Sequence, residues 1–391
     1  MDFRYPPEAE EFRASVRAWL EANLPADLRG VTVRDDLTPA LVKRLRAWNR
    51  TLADAGYAGM SWPEEYGGRA ASVIEQVVLA EEMSRAEAPG PINVIGLSNI
   101  APAIMTYGTA AQKERLLLPM LRGDEIWCQG FSEPNAGSDL ASITTSARRD
   151  GDDFVVNGQK IWTSGAHNAD WCFMLARTDP DAPKHRGITY LLLDMKSPGI
   201  TVRPLVNMAD QHHFNEVFFE DVRVPAANAV GEVNRGWYIG TTTLDFERSS
   251  IGSAVGQRQN VERNIRWLKE NKASIAPTDY DAARLQWADR WVEVQTATLL
   301  SYRIISMQAS GKIPNSEASI AKGFNTELTQ RISRTALKMM GMMGQVTDRK
   351  APMKGNVAVG YLGSVSATIA GGTSEIQRNI IATRGLGLPR A

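Results

Sequence analysis

The spacing of apolar residues changes character twice along this chain of 391 residues, and that double change limits the folds open to it. Up to about residue 125 the apolar positions recur at helical intervals. Phe12, Val16, Trp19 and Leu20 form one stripe, and Leu41, Leu45, Trp48 and Leu52 form a second. Each is the single apolar face of an amphipathic helix. Thr38-Pro39 suits the start of the second helix, a cap followed by proline at the first helical position, and Gly56 suits its end. Ser72 with Glu75, and Thr109 with Gln112, have the spacing of a capping box, in which each side chain satisfies the other residue's free backbone N–H. At least four helices are expected before Gly123.

From about Ile126 to Glu232 the helical period vanishes. Asp150-Gly151 and Asn157-Gly158 read as hairpin punctuation flanking Phe154-Val155-Val156. Short aromatic and aliphatic runs, such as 171–176, 187–195 and 215–225, are bounded by Gly, Pro or Asp. After Gly236 the helical period returns, in segments expected over about 237–271, 279–310 and 315–343. Breaks fall at Ala276-Pro277 and Gly311. Long helices with short connections suggest an antiparallel bundle. The expectation is an α+β multidomain chain: an N-terminal α-helical domain (1–125), a central β domain (126–235) built as a barrel or sandwich, and a C-terminal four-helix bundle (236–391).

Charge and cysteine content narrow the function. The 44 Lys+Arg balance the 44 Asp+Glu, so nothing electrostatic points to nucleic acid or an anionic membrane. No run approaches the roughly 18 apolar residues of a membrane span. The charged start is unlike a secretory signal. Two cysteines, Cys128 and Cys172, make no disulfide framework. A cytoplasmic protein with some tendency to associate is expected.

Three clusters carry chemistry. Phe131-Ser132-Glu133-Pro134-Asn135-Ala136-Gly137-Ser138-Asp139 sits at the border between textures; small residues let a backbone approach a flat ligand, and Ser132 and Ser138 add hydroxyls. By itself it also fits a turn-rich domain start. Gly158-Gln159-Lys160-Ile161-Trp162-Thr163-Ser164-Gly165 sets a planar surface beside two hydroxyls, which suits a heteroaromatic ring, and fits equally a strand with a core tryptophan. In Ala370-Gly371-Gly372-Thr373-Ser374-Glu375-Ile376-Gln377-Arg378, glycines lead into a helix whose free N–H groups suit an anion, or simply a capped helix. P-loop and GxGxxG spacings are absent, which argues against a Rossmann site.

Together and in this order, the three clusters resemble the acyl-CoA dehydrogenase family over essentially the whole chain. The resemblance implies that fold, FAD as cofactor, and oxidation of an acyl-CoA thioester to the trans-2-enoyl-CoA, with electrons passed to an electron-transferring flavoprotein. It implies that Phe131, Ser132, Gly137 and Ser138 line flavin and substrate, and that Trp162, Thr163 and Ser164 contact the flavin ring. Thr373 and Glu375 match positions touching the diphosphate–adenosine part.

Many relatives carry the catalytic base just before the Gly-Thr of the C-terminal loop, but this chain has Gly371 there. A subset carries it within an LDxER pattern, which Leu244-Asp245-Phe246-Glu247-Arg248 matches. The resemblance therefore implies Glu247 as base, Asp245 and Arg248 at the pantetheine end of the substrate, and the backbone N–H of Gly371 as a polariser of the thioester carbonyl. A missing side chain at 371 leaves room for branched or bulky acyl groups.

The chain also departs from the family. The Arg-x-x-Phe-Gly run that reaches a neighbour's FAD is replaced by the stretch 263–271, and the Gln-x-x-Gly-Gly-x-Gly region by 338–344. This implies a base-bearing subunit of a heterotetramer with a paralogous partner, as in relatives acting on sterol or bile-acid side chains; a homo-oligomer, dimer or tetramer, using Arg263 or Arg266 instead is the competing reading. A same-fold oxidase or flavin monooxygenase, or a non-catalytic partner subunit, are the alternative functions. His212-His213 reads as a surface loop rather than a metal site, and His167 as a structural hydrogen-bonding residue. Cys128 and Cys172 read as small core residues, and Trp267, Trp287 and Trp291 as bundle packing.

Overall fold

The computed structural model describes residues 5–31, 37–247, 252–310, 312 and 314–389. They fold into the three parts expected: helices, a β-sheet part, and helices again. The helices α1 (Pro7–Asn23), α2 (Pro39–Asp54), α3 (Val73–Arg85), α4 (Ala101–Tyr107) and α5 (Ala110–Arg122) come first. The apolar stripes lie where their periods put them. Phe12, Val16 and Leu20 are the buried face of α1, and Leu45, Trp48 and Leu52, with Val42, that of α2. Thr38 caps α2 by accepting from the N–H of Leu41. Both capping boxes close: Thr109 and Gln112 exchange bonds of 3.1 and 3.2 Å, and Ser72 and Glu75 exchange bonds of 2.8 and 3.2 Å.

Strands β1 (Trp127–Gly130), β2 (Ser146–Asp150), β3 (Asp153–Ser164), β4 (Trp171–Arg177), β5 (Ile188–Asp194), β6 (Ile200–Val206), β7 (His212–Pro225) and β8 (Ala229–Val230) form one mixed sheet. Its order is β6-β7-β3-β2-β4-β5-β8, with β1 parallel to β4. The sheet is open between β6 and β8, so it is not the closed barrel that the sequence left possible. Asp150-Gly151 makes the expected β2–β3 hairpin. Asn157-Gly158 does not make a turn. It lies inside β3, where the register against β7 slips between Val156 and Gly158. Turn residues and bulge residues look alike in sequence because both need unusual backbone angles. A Cβ at Gly158 would come within 2.6 Å of Thr145 Oγ1. Cys128 and Cys172 are fully buried, opposite each other on β1 and β4, as small core residues.

Helix α6 (Gly236–Glu247) follows the sheet, then α7 (Gly252–Glu270), α8 (Pro277–Ala309), α9 (Ser316–Met340), α10 (Asn356–Ala367) and α11 (Ser374–Ile380). The chain packs as two compact units, with residues 80–84 and those after 247 making the second. Its core joins Val261, Leu268, Trp287, Val294, Leu328 and Ile332, with Trp267 and Trp291 packed against it. Among the described residues no helix is long and apolar enough to cross a membrane.

In the first unit one buried side chain ties the helices to the sheet. Asn93 Nδ2 donates to the carbonyls of Met120 and Glu125 at 2.8 and 3.0 Å, and its Oδ1 accepts from the N–H of Trp127 at 2.9 Å. These lie in the last turn of α5, in the connection after it and at the first residue of β1. Replacing Asn93 by Leu leaves the buried Trp127 N–H without its partner and takes a donor from the carbonyls of Met120 and Glu125, the first of which keeps the N–H of Gly123 at 3.2 Å. Urea denaturation of Asn93→Leu is expected to show a loss of about 1–3 kcal/mol, the cost of a buried group left unpaired.

Candidate functional site in the first unit

The first two chemistry-bearing clusters lie side by side because a buried ion pair joins them. Lys160 is fully buried, and its ammonium donates to Glu133 Oε1 at 2.8 Å and to the Phe131 carbonyl at 3.0 Å. Glu133, 5% exposed, also accepts from the backbone N–H groups of Thr144 and Thr145 at 2.7 and 2.9 Å, and from the Thr144 hydroxyl at 2.9 Å. The N–H of Ile161 donates to the Ser132 carbonyl at 2.9 Å. Burial opposes ionisation of Glu133, but the charge and hydrogen bond of Lys160, helped by the two threonines, overcome it and hold the carboxyl at about 2. At Lys160 burial wins over the attraction and pulls the ammonium below its ordinary range.

Above this pair the loop turns tightly, with Glu133 and Ala136 exchanging backbone bonds of 3.0 Å each. Gly137 and Ser138 are exposed, and a Cβ built on Gly137 would meet no atom within 4 Å. The Phe131 ring is buried, edge-on to Phe173 and Tyr190 at 5.7 and 6.0 Å. Tyr190 in turn meets Thr243 of α6 across 3.3 Å. The motif loop and the helix that ends at Glu247 thus share one aromatic seat. Glu247 is the last described residue of α6, one turn after Thr243; the side chains of Asp245 and Glu247, and the whole of Arg248, lie outside the described residues.

The tryptophan of the second cluster is not a core residue. Trp162 is 58% exposed and holds φ at 60°, in the left-handed region. The register of β3 against β7 slips a second time between Lys160 and Thr163, so a bulge turns the indole outward, with only the Phe214 ring edge-on at 5.3 Å. Next to it the Thr163 hydroxyl is buried with no hydrogen-bond partner, and Ser164 is exposed. An outward aromatic in strained backbone beside a buried orphan hydroxyl fits a flat ligand with a polar edge. His167, just beyond, is a hydrogen-bonding residue: its Nδ1 lies 3.1 Å from the amide nitrogen of Asn215. His212 and His213 are not in a loop. They open β7, and His212 stacks on His167 with ring centres 4.1 Å apart. Among the described residues no three His, Cys, Asp or Glu side chains are placed to hold a metal ion.

The third cluster lies in the second unit. Gly371 and Gly372 both hold positive φ, 65° and 90°. The Gln377 amide donates to both their carbonyls at 3.1 and 3.2 Å, and Lys322 donates to that of Gly372. Thr373 caps α11, its hydroxyl accepting from the N–H of Ile376 at 3.2 Å. The Glu375 carboxyl is held below its usual range by its own N–H and by the Thr373 hydroxyl.

Sequence reasoning named Phe131, Ser132, Gly137, Ser138, Trp162, Thr163 and Ser164, and the fold brings them together. It missed that Glu133 and Lys160 hold them there. Removing one partner leaves a buried charge, so Lys160→Met is expected to cost about 3–5 kcal/mol in urea denaturation, while Glu133→Leu with Lys160→Met recovers most of it. Glu133 titrates at about 2 in the fold against 4.5 when unperturbed, so its contribution is complete above pH 4.5 and is lost as pH falls through about 2.

Residues 6–124, 128–222 and 234–386 match, in turn, the family models for the N-terminal, middle and C-terminal domains of acyl-CoA dehydrogenase. The chain is 39% identical over 388 residues to acyl-CoA dehydrogenase IpdE1 of Mycobacterium tuberculosis, covering 98% of each. Among solved structures it is similar to the Tcur3481-Tcur3483 steroid ACAD, with 33% identity, full coverage of both chains and a TM-score of 0.88. It is also similar to the ChsE4-ChsE5 complex from Mycobacterium tuberculosis, with 33% identity, full coverage and a TM-score of 0.84.

Proposed function

The chain belongs to the acyl-CoA dehydrogenase family, and from that premise we propose that it uses FAD to convert an acyl-CoA thioester to the trans-2-enoyl-CoA, with Glu247 as the base. The observation that carries this reading is the outward Trp162 beside the orphan Thr163 hydroxyl, a ring face and a donor waiting for a flat, polar-edged partner.

In this reading Trp162, Thr163 and Ser164 hold the flavin ring, and Phe131, Ser132, Gly137 and Ser138 line flavin and substrate. Thr373 and Glu375 are proposed for the diphosphate–adenosine part. When bound, the flavin supplies the acceptor for the hydride leaving the beta carbon. The residues of the chain do the rest. The Glu247 carboxylate takes the alpha proton, and the Gly371 N–H polarises the thioester carbonyl so that the alpha carbon gives that proton up more easily. Asp245 and Arg248 orient the pantetheine end. An electron-transferring flavoprotein is the proposed final acceptor. With no side chain at 371 to fill the pocket, and with steroid ACADs among the similar structures, we assign bulky, steroid-derived acyl groups as the substrate class.

Glu247→Gln is expected to lower turnover about a hundredfold to ten-thousandfold, the range for a lost general base, with flavin content unchanged by absorbance. Wild-type turnover in that variant overturns the assignment. A panel of linear, branched and steroidal acyl-CoA thioesters, scored by bleaching of the flavin, tests the substrate class; preference for short linear chains counts against it.

We further propose a heteromer with a paralogous subunit, because the stretches 263–271 and 338–344 lack the family residues that serve a neighbour's cofactor. Expressed alone, the chain is expected to purify with substoichiometric FAD, and co-expression with the paralogue to restore full occupancy. Full FAD and activity in the lone chain refute this.

A further inference from the structure

The segment that presents Trp162 and Thr163 is gripped from β7 by one buried amide. Asn215 is fully buried. Its Nδ2 donates to the Thr163 carbonyl at 3.0 Å and faces His167 Nδ1 at 3.1 Å, while its Oδ1 is 2.7 Å from His212 Nε2. A carbonyl oxygen only accepts, so the amide NH2 must be the end facing Thr163. Its second proton is then aimed at His167 Nδ1, which accepts only when that nitrogen is bare. His212 completes the chain by donating through Nε2. The hydrogen-bond order therefore requires a neutral His167 with its proton on Nε2.

We propose that Asn215 is a positioning residue for the Trp162-Thr163-Ser164 segment, and that its grip depends on a neutral His167, so that the segment loosens on acidification. Protonating His167 on Nδ1 turns its bond to Asn215 into an N–H facing an NH2, and sets a cation against the His212 ring stacked 4.1 Å away. The amide must then give up either His167 or Thr163. Among the described residues no carboxylate acts on His167. From β7 the groups reaching His167 are His212 and His213. On β6 the charged side chain is Arg203, which lies over Phe218 at 4.6 Å. β1 brings only the buried Cys128. Beyond Asn168, whose carbonyl meets Arg46 at 3.4 Å, Arg46 is itself paired with Asp170 at 2.7 Å. Burial first, then His212, hold His167 below the ordinary imidazole range. A histidine so depressed contributes fully above its ordinary 6.5, and that contribution is lost as pH falls through the lower folded value.

This inference rests on the flavin reading, and its test separates the two. The full chain in its native assembly, with isotope-labelled histidine, is followed by NMR and titrated with FAD. At about pH 7 His167 is expected to carry its proton on Nε2 and to titrate below the usual histidine midpoint. FAD affinity is expected to be lower at a pH below the His167 midpoint read by NMR than at about pH 7.5, by up to about tenfold for each pH unit below that midpoint. His167→Phe keeps the ring stack and is expected to bind FAD at both pH values without that fall. Asn215→Leu is expected to weaken FAD at every pH and to move the His167 midpoint; should it not fold, His167→Phe decides. A proton on Nδ1 of His167, or a pH-dependent fall that survives in His167→Phe, overturns the proposal. A chain that binds no FAD overturns the cofactor reading, while the His167 tautomer and midpoint still judge the Asn215 bridge.

Discussion

A lysine and a glutamate buried beside each other set the terms for the rest of the site. Lys160 is fully buried and Glu133 nearly so, so each charge persists only if the protein supplies its partners. The partners come from four places: the Phe131 carbonyl, the Thr144 and Thr145 N–H groups, the Thr144 hydroxyl, and the two charges themselves. Satisfying them draws the loop after β1, the start of β2 and the middle of β3 to one point. The pair need not add net stability to do this. Its value lies in the cost of every arrangement that separates it.

With β3 pinned at Lys160, the next residues can leave the regular ladder without losing their place. Trp162 takes a left-handed backbone that a bulky side chain adopts only when its neighbours hold it. On one side is the ion pair, two residues back. On the other is Asn215, bonded to the Thr163 carbonyl. The strained residue sits between two buried clamps, and its indole is turned to solvent rather than into the core.

This explains which parts could be read from the sequence. The stripes of α1 and α2 and both capping boxes depend on residues three or four apart, so their signals are local and complete. Asn157-Gly158 misled because a bulge and a hairpin ask for the same residue types; pairing with β7, distant in sequence, decides between them. Trp162 left two readings open, core or surface, and no local signal chose. Lys160 was visible inside its motif, but lysine is a surface residue by default, and its burial depends on a glutamate 27 positions earlier. Asn93 and Asn215 gave no signal, because an asparagine that bonds distant backbone looks like any polar residue.

The proposed base raises the same question of support. A carboxylate on the glycine loop would stand on Gly371, whose positive φ suits a residue without a side chain. Helix α6 is a different kind of platform. Thr243 meets Tyr190, Gly236 lies so close to the backbone of Thr189 and Tyr190 that a Cβ there would come within 2.3 Å, and Gly240 lies against Leu175. Two glycines let the helix settle directly on β4 and β5. A base carried one turn beyond Thr243 inherits its place from the sheet that also seats Phe131. A base carried on this helix would therefore stand on backbone fixed by packing against β4 and β5, where one on the glycine loop would need a side chain at a residue holding φ at 65°.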